Sequence, residues 1–183
     1  MISTVIYDAN VLYPNVLRDV LIRVAQHGLV RAHWTERILD EVFVNLHMNR
    51  PDLGRAKLDR TRALMNESIR DVLVEDYEPL EAIVTLPDVN DRHVLAAAIQ
   101  AKAQTIVTAN VRHFPETELS PWGIDARHPG SFLVEQFRCD QTTMRLIIRQ
   151  IASATTNPPL SVDDVLDQLT RCGAYEVANL LRT

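Results

Sequence analysis

The chain has 183 residues, 46% hydrophobic and 23% charged, with a formal net charge of −5. These proportions fit one globular domain with room for a small appendage, and they exclude a disordered or low-complexity chain. No apolar run approaches the roughly 18–20 residues that a bilayer span needs, and the N-terminus shows no leader pattern. Cys139 and Cys172 fit neither a disulfide framework nor a zinc-ligand spacing, so a cytoplasmic protein with no membrane association is expected. The basic residues are 17 Arg and two Lys. Arginine's fork suits phosphate, but the acidic excess does not mark the whole chain as a nucleic-acid binder, so local clusters must carry any such reading.

Residues 2–7 contain Ile2, Val5 and Ile6 and read as a buried strand that delivers Asp8 at its carboxyl end. Val16, Leu17, Val20, Leu21 and Val24 then recur with helical period behind a cap at Asn15, and Gly28 stops the helix. Thr35 opens a second helix with the apolar stripe Ile38, Leu39, Val42 and Leu46, and Glu41 falls on its flank. Residues 50–70 predict a helical arm carrying Arg50, Arg55, Lys57, Arg60, Arg62 and Arg70, before the charge reverses at Glu75 and Asp76.

Asp91 to Ala103 is strongly helical, and either Asp88 or Asp91 must begin that helix. Thr105 to Thr108 reads as a second buried strand ending at Ala109-Asn110, with a further short strand expected near Gly123 to Ala126. After Cys139, Asp140 caps a helix through Ile151, and residues 155–159 form a linker. Ser161 with Asp164 resembles a capping box that opens two short helices around Gly173. This order predicts an α/β fold with a parallel sheet flanked by helices. Residues 1–138 form its main domain and 139–183 a helical C-terminal extension.

Four polar positions sit where chemistry can be done: Asp8, Glu41, Asp91 and Asn110. Sites in parallel α/β sheets form outside the carboxyl ends of the strands, which is where Asp8 and Asn110 fall. Each has an ordinary alternative: a helix cap for Asp91 or Asp88, a solvated helix face for Glu41, a turn for Asn110. Asp8 is the least ordinary, because a carboxylate closing a buried strand needs a partner or a role. Carboxylates gathered together repel unless they hold protons or a cation, and hard divalent ions such as Mg²⁺ or Mn²⁺ resolve that conflict.

The series Tyr7-Asp8-Ala9-Asn10-Val11-Leu12, Ile38-Leu39-Asp40-Glu41-Val42, Asp91-Arg92-His93-Val94-Leu95-Ala96-Ala97 and Val107-Thr108-Ala109-Asn110 with Phe114 resembles the PIN domain. Its likeness is to the PIN-type endoribonucleases that act as VapC toxins of bacterial toxin–antitoxin systems, over roughly residues 2 to 137. The resemblance implies a three-layer fold with a central parallel sheet, and an acidic site for Mg²⁺ or Mn²⁺ made by Asp8, Glu41 and Asp91. Asn110 falls where many members place a fourth acid, and His113 stands before Phe114 where an aspartate is common. That departure removes negative charge and puts a second tightly held metal in question, while Asp88 can add a direct or water-mediated ligand.

The function implied is metal-dependent hydrolysis of an RNA phosphodiester by an activated water, leaving a 5′-phosphate and a 3′-hydroxyl. Arg50, Arg55 and Arg60 on the arm, with Arg92 and Arg112 beside the proposed ligands, are the candidate RNA contacts. The partners implied are an RNA substrate, a cognate antitoxin protein and a second copy of the chain in a homodimer. Two other classes compete. A phosphotransfer domain using Asp8 as nucleophile lacks what it needs, since Asn10 stands where the second aspartate belongs and Lys102 precedes its strand instead of ending one. A catalytically decayed PIN-like scaffold that binds RNA or protein is kept in play by Asn110 and His113.

Overall fold

The structure, a computed structural model, describes residues 2–182. Its centre is a four-stranded parallel sheet in the order β2-β1-β3-β4, with β1 (Ser3–Tyr7), β2 (Val30–His33), β3 (Thr105–Val107) and β4 (Asp125–Arg127). β1 is central because its Val5, Ile6 and Tyr7 are buried on both faces, as a parallel strand in a three-layer fold must be. It pairs Ser3 with Val30 on one side and Val5 with Thr105 on the other.

The chain leaves β1 through α1 (Ala9–Leu12) and α2 (Asn15–Gln26) to reach β2, then crosses back to β3. This return runs through α3 (Glu36–Asn49), α4 (Arg55–Ser68), α5 (Glu78–Glu81) and α6 (Arg92–Gln100). Right-handed crossovers in opposite directions put α2 and α6 on opposite faces of the sheet. The point where the strand order reverses therefore lies between the carboxyl ends of β1 and β3. Beyond α7 (Glu116–Leu119) and β4, α8 (Pro129–Cys139) returns to the α2 face, where Tyr7 meets Phe132 edge to face at 6.1 Å and donates from its hydroxyl to the Leu21 carbonyl.

α9 (Gln141–Ala154) and α10 (Val162–Arg171) pack on α2, and α11 (Tyr175–Arg182) packs on α8. Met144, Ile147, Ile148, Ile151, Val165 and Leu169 bury one face of α9 and α10 against this layer. The expected caps are present: the Thr35 hydroxyl accepts from Ile38 N–H at 3.0 Å, Asp140 accepts from Thr143 N–H at 2.9 Å, and Ser161 with Asp164 completes a reciprocal capping box.

Three local features differ from the sequence reading. Asn15 is the first residue of α2 and caps nothing; Pro14 takes the cap position, and the Asn15 side chain accepts from Arg18 instead. β2 was not predicted, because only Val30 and Ala32 of its four residues are buried, too few for a period-two signal. The sheet also continues past β2: Trp34 N–H donates to Val72 O at 3.1 Å and its carbonyl accepts from Val74 N–H at 2.9 Å. Both cysteines are free, and no described helix is long and apolar enough to cross a membrane.

Candidate active site

Asp8 sits where β1 ends and α1 begins, 4% exposed. One carboxylate oxygen, Oδ1, accepts from Ala9 N–H at 2.7 Å, so the side chain caps α1. The other, Oδ2, accepts from the Thr108 hydroxyl and the Asn10 amide, each at 2.7 Å. Burial raises the Asp8 carboxyl above the usual range; the Thr108 and Ala9 donors oppose that, and the charges of Asp91 and Glu41 push it further up. Asn10 also accepts from Ala109 N–H at 2.9 Å, so it ties the end of β1 to the segment leaving β3.

The raised value has a thermodynamic consequence. At a pH between the ordinary aspartate value of about 4 and the raised folded one, the folded protein binds the Asp8 proton more tightly than the unfolded chain does, so this contribution to stability is complete below the ordinary value and is lost as pH rises through the folded one. In thermal melts without divalent metal, wild type should lose stability relative to Asp8→Asn as pH is raised from about 4 toward neutrality. Parallel melting curves would contradict it.

Asp88 and Asp91 divide their tasks. The Asp88 carboxylate accepts from Asn90 N–H at 2.9 Å and opens the turn that leads into α6. Asp91 makes no side-chain cap bond, and its Oδ2 lies 2.8 Å from His113 Nδ1. Glu41, on α3, places Oε1 2.8 Å from Nε2 of His93, which is 1% exposed; the contact is close but not aligned as a hydrogen bond.

Asp8, Asn10, Glu41, Asp91 and Asn110 line one cavity of about 410 Å³, with Tyr13 on its wall. The four positions chosen from sequence thus converge. Asp88 does not line that cavity; it groups with Asp91 and His113, whose ligand atoms all lie within 4.8 Å of one another. Hard carboxylate oxygens dominate both arrangements, a donor set that suits Mg²⁺ or Mn²⁺. A larger cavity of about 860 Å³ lies against β1, β3 and α8, but its Arg127 is engaged by both Asp125 and Glu135 in ion pairs.

The arginines are placed unequally. Arg50 is engaged by Asp52 at 2.8 and 2.6 Å, and Arg62 joins α4 to Glu36 and Asp40 of α3. Arg55, Lys57 and Arg60 are exposed and form no ion pair among the described residues. Neither Arg92 nor Arg112 pairs with Asp88 or Glu116, and Arg92 Nε is buried without a partner.

Sequence reasoning missed four members of this site. Asn10 and Thr108 hold Asp8, while His93 and His113 reach Glu41 and Asp91 across the fold. Asn10 had a usable signal, a polar residue two positions after a strand-ending aspartate. His93 had none, since its partner lies on another helix. Thr108→Val should remove the bond to Asp8, together with the acceptor for the Asn10 amide and Asn110 N–H, and destabilise the protein by about 1–3 kcal/mol in urea unfolding. The same substitution in Asp8→Asn should cost clearly less if that bond is the source.

A family model described as "PIN domain" matches residues 4–112, and one described as "VapC50 C-terminal domain" matches residues 129–183. Among curated proteins, "Putative ribonuclease VapC50" of Mycobacterium tuberculosis (strain ATCC 25618 / H37Rv) is 40% identical over 79 residues, 43% of this chain and 47% of that protein. The chain thus spans about half the length of the curated relative it matches. No solved structure matches the chain.

Proposed function

Because the chain belongs to the PIN-domain family, whose model matches more than half of its residues, we propose that it is a Mg²⁺-dependent endoribonuclease and the toxin of a toxin–antitoxin pair. The observation that carries this reading is the convergence of Asp8, Glu41 and Asp91, from three separate chain segments, on one cavity. Three carboxylates sharing so small a space repel one another, which is the condition a divalent cation relieves.

Asp8, Glu41 and Asp91 would hold the ion, with Asp88 as a further or water-mediated ligand. When bound, it supplies Lewis acidity toward a phosphate oxygen and toward water. Asp8 is fixed on both oxygens by Ala9, Asn10 and Thr108, so it offers its charge without reorganising. Glu41 and Asp91, each beside a histidine, are the two carboxylates placed to take a proton from the attacking water. The water oxygen forms the new P–O bond, the bond to the 3′-oxygen breaks, and that oxygen takes up a proton returned by the carboxylate or by solvent, so the products are a 5′-phosphate and a 3′-hydroxyl. Asn110 presents a neutral amide at the same wall and lowers the negative charge facing the substrate.

Arg50, Arg55, Arg60, Arg92 and Arg112 supply the positive rim that an anionic substrate needs beside an acidic pocket. The protein is taken to act in the cytoplasm, as a homodimer, with a cognate antitoxin covering the cavity. Purified protein incubated with total RNA should cleave with Mg²⁺ or Mn²⁺ and not with EDTA. Mapped 5′ ends should carry phosphate. Silence under all three conditions, with no metal binding by calorimetry, would leave the family's non-catalytic scaffold role in its place.

A further inference from the structure

A second cavity of about 450 Å³ adjoins the acidic one and shares Tyr13 as a wall. It lies between the turn after α1, the end of α3 and the start of α4, over an apolar floor of Leu46, Leu53 and Leu58. Its charged lining is Arg18, Arg50 and Lys57, with no carboxylate among the lining residues, in a chain whose net charge is −5.

Arg18 is the informative member. It is 8% exposed, and its guanidinium donates to Leu12 O at 2.9 Å, Tyr13 O at 3.3 Å and Asn15 Oδ1 at 2.8 Å. All three acceptors are neutral. Arg18 forms no ion pair among the described residues, and the adjacent Asp19 is committed to Arg23 at 2.7 Å. A buried charge without an opposite charge is costly, and an anion in the cavity would relieve it.

Two further features point the same way. Gly54 stands at the cap position of α4 and offers no side-chain cap, and the helix's first turn carries Arg55 and Lys57 and no acid. Cations there oppose the helix dipole, so local helix stability does not account for them. The Arg50–Asp52 pair is exposed on both sides, which makes it weak enough for a phosphate to displace.

We propose that this cavity is a second nucleotide subsite, holding the nucleotide next to the scissile phosphate of a single-stranded RNA. Lys57, Arg50 and the field of Arg18 receive its phosphate. Tyr13, held by Asn49 Nδ2 at 3.3 Å, separates the two cavities and offers its ring to a base. The apolar floor accommodates the base or ribose, and a volume of this size is ordinary for a small-ligand pocket. The proposal rests on the nuclease reading of the adjoining site and adds to it where the substrate strand runs.

The test measures binding separately from cleavage. Labelled single-stranded RNAs, lengthened one nucleotide at a time, are titrated against Asp8→Asn protein by fluorescence anisotropy at several salt concentrations. The same titrations follow in Asp8→Asn carrying Lys57→Met, Lys57→Arg or Thr61→Phe. Lys57→Met should weaken RNA binding about tenfold and reduce the slope of log affinity on log salt by about 0.7, the value for one lost phosphate contact on a single strand. Lys57→Arg should restore both. Thr61→Phe, which fills the cavity, should abolish the gain in affinity that one added nucleotide gives. Melting temperatures of the exposed Lys57 variants confirm folding.

Unchanged affinity and salt slope in Lys57→Met and Thr61→Phe overturn the subsite, even where wild type cleaves RNA. Weakened binding of an acidic peptide with RNA binding intact overturns it too, and assigns the cavity to a protein partner. Failure of the nuclease reading shows separately, as wild-type protein that neither binds nor cleaves RNA with metal present.

Discussion

Asp8→Asn should reduce RNA cleavage by about 10³-fold or more while the chain stays folded. The estimate follows from losing a charge fixed in a preorganised, poorly hydrated site, where one such group supports rate enhancements of that order. The substitution keeps shape and volume, so the core around β1 is undisturbed. It keeps an oxygen for Ala9 N–H, but its new amide can accept from neither the Asn10 amide nor the Thr108 hydroxyl, so the bond from Asn10 is lost and the contact with Thr108 survives only with that hydroxyl turned to accept. Removing a buried charge beside Glu41 and Asp91 offsets that loss at neutral pH without metal. Asp88→Asn should have a smaller effect on cleavage, because Asp88 stands outside the cavity and its cap bond survives as an amide oxygen. Cleavage by Asp8→Asn within tenfold of wild type, with matched melting curves, would end the catalytic assignment of Asp8.

Trp34→Ala should destabilise the protein by about 3–5 kcal/mol, the range for truncating a buried tryptophan. Trp34 is 0% exposed, and its indole Nε1 donates to Asn66 Oδ1 at 2.9 Å. The residue joins three parts of the chain: its backbone extends the sheet to residues 72–74, its ring fills the core, and its N–H anchors α4. A domain with a typical stability of about 5–15 kcal/mol would lose a large fraction of it. Trp34→Phe should cost about 1–2 kcal/mol less than the alanine variant, since it keeps most of the ring contacts but leaves Asn66 without its donor. Equilibrium urea unfolding measures both. The remaining folded protein should keep its cleavage rate, because Trp34 lines neither the acidic cavity nor the one beside it.

What the sequence revealed follows from the range of the interactions involved. Thr35, Asp140 and Ser161 were legible as caps because a cap bonds within three residues of itself. Asp8 was legible because a charge closing an apolar strand has few ordinary explanations. The choice between Asp88 and Asp91 was not, since both stand at the start of the same helix; only the fold shows that Asp88 caps the turn and Asp91 faces the cavity. β2 escaped notice because a four-residue edge segment with two buried side chains has almost no periodic signal. His93 and His113 stayed hidden for a different reason. Each meets a carboxylate that is distant in sequence, and no local rule pairs residues across a sheet or between helices.

The division of the acidic cavity among distant segments also bears on how such a chain is made. Residue 8 emerges first and Glu41 follows, but Asp91, and Thr108 that steadies Asp8, arrive only after α6 and β3 have been synthesised. A partly translated chain therefore carries isolated carboxylates and no assembled centre. Assembly of the cavity therefore waits on closure of the sheet, and any activity that depends on all three carboxylates waits with it.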